Sequence, residues 1–152
     1  MLAGMGIEIE RKFLVRRELL PAQLPAPDEI EQGYLGKSPT VRVRTRRNAR
    51  GERRGELTIK GKGRLSRGEW NYDIPAAEAD ELLELCATSL CKTRRELGRW
   101  ELDYFADRDL WLAEIELERE DEPFERPAWL GDEVTSDGNY SNSQLARERS
   151  RR

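Results

Sequence analysis

Apolar and charged residues alternate with a period of two in at least seven segments of the chain. In Ile7-Glu8-Ile9-Glu10-Arg11-Lys12-Phe13 the residues Ile7, Ile9 and Phe13 fall on one face of a strand, and Glu8, Glu10 and Lys12 on the other. The same division returns at Val41 to Arg44, Leu57 to Lys60, Glu69 to Ile74, Cys91 to Arg94, Trp100 to Tyr104 and Ala113 to Leu117. Strands are predicted near residues 5–15, 29–35, 40–47, 55–61, 68–74, 90–95, 99–105 and 111–119, about eight in all. A short helical stretch at Arg16 to Leu20 ends at Pro21, and residues 21–27, with three prolines, read as a loop. Ala79, Leu82, Leu83 and Cys86 recur at helical spacing within Ala76 to Thr88, a helix expected on the outside of the sheet. A second helix is expected from Ser141 or Asn142 through Arg147, with a frayed tail after about residue 147. Residues 48–55 read as an exposed hairpin tip.

The charges are sorted by strand. Arg42, Arg44, Lys60, Lys92 and Arg94 are cationic; Glu8, Glu10, Glu101, Asp103, Glu114 and Glu116 are anionic. Like charges two residues apart on one face repel, so these strands need opposite charges across the sheet, a metal or a multiply charged ligand. If the sheet closes with this face inward, its interior becomes a charged channel.

Composition narrows the function. The chain of 152 residues reads as a single domain, 1–152, with only 37% hydrophobic against 38% charged residues. The strand periodicity, four Trp and four Tyr set it apart from a disordered chain of similar composition. A net charge of −3 predicts no general attraction to nucleic acid or to an anionic membrane. Two cysteines, Cys86 and Cys91, suggest no disulfide framework, and with no signal peptide or membrane-length apolar run the simplest expectation is a cytoplasmic protein. The absence of His removes the Ser-His-Asp triad, His-ligated zinc and an imidazole base. Any metal here is a hard, oxygen-ligated cation such as Mg²⁺ or Mn²⁺.

Glu8-Ile9-Glu10-Arg11-Lys12 resembles the ExExK signature of the CYTH superfamily, the triphosphate tunnel metalloenzymes. Further elements follow in that family's order: Gln32-Gly33-Tyr34, Arg42 and Arg44, Thr58-Ile59-Lys60, Arg67-Gly68-Glu69, Lys92-Thr93-Arg94, Glu101-Leu102-Asp103, Glu114-Ile115-Glu116, and Tyr140-Ser141-Asn142. The resemblance covers nearly the whole chain. It implies a mainly β fold, an eight-stranded antiparallel barrel or tunnel with a charged interior and a few outer helices. It also implies a metal-dependent hydrolase of a triphosphate-containing small molecule, foremost inorganic tripolyphosphate. Thiamine or nucleoside triphosphate hydrolysis, a class IV type adenylate cyclase and a polyphosphate-binding module without turnover are the alternatives.

Within that resemblance each residue acquires a role. Arg42, Arg44, Lys60, Lys92 and Arg94 would bind the phosphates, arginine through planar paired contacts and lysine as a point charge. Glu8, Glu10, Glu69, Asp103, Glu114 and Glu116 would hold Mg²⁺ or Mn²⁺. Lys12 and Tyr34 would stand at the terminal phosphate and position or deprotonate water. Asn71 departs from the family's alternating acids at Glu69 and Asp73, putting an uncharged amide where a carboxylate is expected. The outer apolar face offers a surface for a homodimer. Of Trp111 and Trp129, the expectation is core rather than tunnel mouth.

Overall fold

The alternating segments do form strands, and the sheet they build closes on itself. The computed structural model describes residues 6–151, without the side chains of 150 and 151, so the expected strand start at residue 5 lies outside the described residues. The elements in chain order are β1 (Ile7–Val15), β2 (Asp28–Lys37), β3 (Thr40–Arg47), β4 (Arg53–Lys60), β5 (Ser66–Ile74), α1 (Ala76–Glu84), β6 (Thr88–Leu97), β7 (Trp100–Phe105), β8 (Leu110–Leu117), β9 (Leu130–Glu133) and α2 (Asn142–Arg151). Single 3-10 turns occupy Arg17–Leu19 and Gly138–Tyr140.

The strands pair in the order β5-β4-β3-β2-β6-β7-β8-β1, and β5 pairs back to β1, giving a closed eight-stranded antiparallel barrel. Closure is brief: Ile7, Glu8 and Ile9 pair with Gly68, Arg67 and Ser66. Past that point the edge of β1 is free of β5, and β9 fills it, pairing with Phe13 and Val15. The backbone reason is that unpaired N–H and C=O groups cannot be left buried. β9 escaped the sequence reading because Leu130-Gly131-Asp132-Glu133 is four residues long and carries one large apolar side chain.

Two apolar layers support the barrel. Outside β1, β7 and β8, Ile9, Phe13, Trp100, Leu102, Ala113 and Ile115 form a core with Trp129 and Leu130, covered by Phe124. Its aromatic rings meet edge to face, Phe13 on Trp100 at 5.6 Å and Trp100 on Trp129 at 5.5 Å. Each fully buried large side chain of this kind contributes about 1.5–3 kcal/mol. Trp129 is thus core as expected, while Trp111 packs at the edge of the cluster, its ring tilted 40° against Tyr104. On the opposite side α1 lies against β3 and β4, with Ala79 fully buried. It approaches so closely because Gly33 and Gly55 have no Cβ; one built on Gly33 would stand 2.7 Å from Cys86 Sγ. α1 ends at Glu84, short of the predicted Thr88, in a final turn where Leu85 and Cys86 donate to Leu82 and Leu83 carbonyls before the chain re-enters the sheet.

The second layer lies inside the barrel. Leu14, Leu90, Phe105 and Leu112 share the inward faces of their strands with the charged residues, and Leu145 and Ala146 of α2 pack onto them. The interior is therefore charged along most of its length and apolar where α2 docks. α2 runs from Asn142 to Arg151, beyond the predicted Arg147. No helix among the described residues is long and apolar enough to cross a membrane.

Candidate active site

Strand register places the charged residues on facing walls. Across β1, β8 and β7, Lys12 pairs with Glu114, Glu10 with Glu116, and Glu101 with Glu114. Across β6, β2, β3 and β4, the inward residues include Lys92, Arg94, Arg42, Arg44 and Lys60, with Tyr34 opposite Arg42 and Gln32 opposite Arg44. These walls enclose a cavity of about 970 Å³, lined by Glu8, Glu10, Lys12, Tyr34, Glu69, Glu101, Glu114, Glu116 and the five cations.

On the acidic wall, Glu10, Glu101 and Glu114 each place a carboxylate oxygen within 4.8 Å of the others. Burial pushes Glu10 well above the usual carboxylate range, and the negative Glu114 and Glu8 push it further. Burial also raises Glu101, with Glu114 adding to it and Arg94 opposing. Glu114 goes the other way: burial would raise it, but Lys12, Arg94 and Lys92 together hold it at about 2. Glu8 is raised to about 7 by burial and by its contact with Glu69, whereas Glu69, despite burial, is held at about 2 by Glu8 and Lys60. Glu8 Oε2 is buried with no hydrogen-bond donor among the described residues.

The basic wall is tied internally. Lys60 Nζ stands 3.0 Å from Glu69 and 4.0 Å from Glu8. Arg42 donates to Glu56 and Thr58, both at 3.0 Å, and its buried Nε has no hydrogen-bond partner among the described residues. Arg44, lowered to about 9 by burial and then by Arg42 and Arg94, donates twice to Gln32 Oε1. Lys92, lowered to about 7 chiefly by burial, stands 2.8 Å from Asp103 and donates to Asn142 Oδ1 at 2.7 Å.

The predicted residues line the cavity except for Asp103. Asp103 has no exposed surface, and both its oxygens accept from Arg94, at 2.7 and 2.8 Å, with Lys92 also against Oδ2. The carboxylate that joins Glu10 and Glu114 is Glu101, two residues earlier on the same face of β7. The signal for it was available, since Glu101 already stood in the alternating pattern. Lys12 and Tyr34 both line the cavity, each with its own partner: Lys12 Nζ donates to the Tyr140 carbonyl at 2.9 Å and lies 3.6 Å from Glu114, while Tyr34 Oη accepts from Gln32. Asn71 accepts from the Thr58 hydroxyl at 2.6 Å. Gln32 and Asn142, which link the basic wall to α2, carry no signal of their own in the sequence, because an uncharged amide shows no chemistry until its partners are known.

Fold and site define a closed antiparallel barrel with an acidic and a basic inner wall. The chain belongs to the CYTH domain family, whose model matches residues 6–147. An inorganic triphosphatase of Acetivibrio thermocellus is 39% identical over 154 residues, spanning 94% of this chain and 95% of that protein. An inorganic triphosphatase of Nitrosomonas europaea is 35% identical over 149 residues, spanning 91% and 96%. The solved crystal structure of an inorganic triphosphatase superposes with a TM-score of 0.57 at 29% identity, covering 91% of this chain and 93% of that one.

Proposed function

We propose that this chain hydrolyses inorganic tripolyphosphate to pyrophosphate and phosphate inside the barrel, using Mg²⁺ or Mn²⁺. The observation that carries the reading is that Glu10, Glu101 and Glu114 converge within 4.8 Å on a cavity whose other walls present Arg42, Arg44, Lys60, Lys92 and Arg94. A polyphosphate alone would need only the basic wall; an acidic cluster beside it calls for a cation between the two. The names of the two curated relatives support the choice of substrate.

The residues fit a divalent ion. Glu10, Glu101 and Glu114 would hold it, with Glu8 and Glu116 on the same wall, and among the described residues no group donates a hydrogen bond to the buried Glu8 Oε2. All these donors are hard oxygens, which suits Mg²⁺ or Mn²⁺. Asp103, with both oxygens engaged by Arg94 and Lys92, serves instead to set those cations. The bound ion supplies charge neutralisation at the reacting phosphoryl group and a more acidic water. Arg42 and Arg44 grip phosphate oxygens with planar donors, and Lys60 and Lys92 add point charges. Lys12, held by the Tyr140 carbonyl and Glu114, neutralises and orients the terminal phosphate against the attacking water.

Purified protein with tripolyphosphate, ATP, thiamine triphosphate or pyrophosphate, with Mg²⁺ or Mn²⁺ and with excess chelator, tests the reading. Metal-dependent release of phosphate from tripolyphosphate is expected. Cyclic AMP and pyrophosphate from ATP would assign the cavity to cyclisation, and hydrolysis that survives full chelation would contradict the metal.

A further inference from the structure

Gln32 has no exposed surface, and every hydrogen-bonding position of its amide is used. Its Oε1 accepts from Arg44 Nε at 3.0 Å and Nη2 at 2.8 Å. Its Nε2 donates to Tyr34 Oη at 2.8 Å and to Asn142 Oδ1 at 3.3 Å. A guanidinium can only donate, so Arg44 dictates which end of the Gln32 amide is oxygen, and the nitrogen must face Tyr34 and Asn142. The Tyr34 oxygen then receives a hydrogen from Gln32 and keeps its own proton for some other acceptor. Asn142 is fixed in turn, because its oxygen accepts from Gln32 and also from Lys92 Nζ at 2.7 Å.

Strand geometry makes the arrangement rigid. Gln32 lies directly across from Arg44 on β3, and Tyr34 is the next inward residue of β2. Asn142 opens α2, where Ser141 Oγ accepts from the Gln144 N–H. The relay therefore joins two strands of the basic wall to the helix that docks on the apolar end of the barrel.

We infer that Gln32 is a positioning residue that commits the Tyr34 hydroxyl to donate into the cavity, toward a phosphate oxygen, and that Asn142 extends the same relay to Lys92. The identity of the acceptor rests on the tripolyphosphate reading. In this role Tyr34 keeps its proton and stabilises phosphate charge, and the removal of a proton from water falls to another group.

Gln32→Glu keeps acceptor oxygens for Arg44 but removes both donors, so the Tyr34 proton turns back to the new carboxylate. On tripolyphosphate, kcat is expected to fall about ten- to hundredfold, the range for a hydrogen bond to a charged group, with a smaller change in KM. Tyr34→Phe should lose a similar factor, and the double variant should be no slower than the worse single one. Losses that multiply, or wild-type kcat in Gln32→Glu, overturn the inference. A second measurement does not depend on turnover: in ¹⁵N–¹H spectra of the full chain, the assigned Gln32 side-chain amide pair should exchange slowly with D₂O and shift in both Tyr34→Phe and Asn142→Ala. Rapid exchange, or no shift in Tyr34→Phe, overturns the relay even in an active enzyme and even if Gln32→Glu fails to fold. A protected, responsive amide in a protein that leaves tripolyphosphate intact upholds the relay and removes tripolyphosphate as the acceptor's source.

Discussion

Arg94 and Asp103 face each other across β6 and β7 and share two hydrogen bonds, Nε to Oδ1 at 2.7 Å and Nη2 to Oδ2 at 2.8 Å. Lys92 closes on the same carboxylate at 2.8 Å. Burial alone would raise the Asp103 pKa, but Arg94 and then Lys92 reverse that and hold it far below its ordinary 3.8. The carboxylate thus faces both cations at hydrogen-bond distance.

Asp103→Ala removes the carboxylate that two buried cations share and is expected to destabilise the fold by about 3–5 kcal/mol in urea unfolding at neutral pH. Because the folded-state pKa is depressed, the stabilisation is complete above the unfolded value of 3.8 and declines as pH falls toward the folded one. The stability gap between wild type and variant should therefore narrow below about pH 4. A variant as stable as wild type but weakened in metal affinity would instead make Asp103 a ligand.

Glu101→Gln should behave in the opposite sense. It removes one of three carboxylates crowded within 4.8 Å, so the metal-free protein should melt at the same or a higher temperature. Affinity for Mn²⁺, measured by calorimetry, should fall by at least the roughly ten- to hundredfold typical of losing even an outer-shell partner. Wild type should gain about 2.7 kcal/mol of stability at a Mn²⁺ concentration a hundred times its Kd, and the variant markedly less at that concentration.

The barrel was legible because on most strands a charged set alternates with a largely apolar one, a pattern in which a shift of one residue would reverse every side chain; β2 departs from it, with uncharged Gln32 and Tyr34 inward and Glu29 and Glu31 exposed. That same period two puts Glu8, Glu10 and Lys12 on one face of β1 and Arg42 and Arg44 on one face of β3. What periodicity cannot give is which inward charge meets which. Register and strand tilt decide that Glu101 joins Glu10 and Glu114 while Asp103 is consumed by Arg94 and Lys92. β9 and the length of α1 were hidden for a related reason: one is fixed by the unpaired edge of β1, the other by where the chain must turn back into β6.

The glycines under α1 give a test of packing alone. A Cβ at Gly33 meets Cys86 Sγ at 2.7 Å and Leu83 Cδ2 at 3.2 Å, side-chain atoms that can yield. At Gly55 it meets the Ile74 carbonyl oxygen at 2.7 Å and Ala79 Cβ at 2.9 Å, so backbone must move. Overpacking of this kind costs about 1–3 kcal/mol. Gly55→Ala is expected to lower the melting temperature more than Gly33→Ala, and equal melting in the two would contradict this account of the α1 contact.

Arg42 offers the most direct reading of the basic wall. Its Nη2 is engaged by Glu56 and Thr58, but its buried Nε has no acceptor among the described residues, a donor left for something that enters the cavity. Arg42→Lys keeps the charge and removes that planar second donor. With metal chelated, tripolyphosphate should raise the melting temperature of wild type more than that of the variant. Calorimetry under the same conditions should show affinity weakened by about tenfold or more, the range for a hydrogen bond to a charged partner. Equal affinity would mean that Arg42 Nε does not touch the anion and that charge alone holds the substrate on β3. A loss confined to metal-loaded protein would mean instead that the basic wall engages the phosphates only after the acidic wall has been filled.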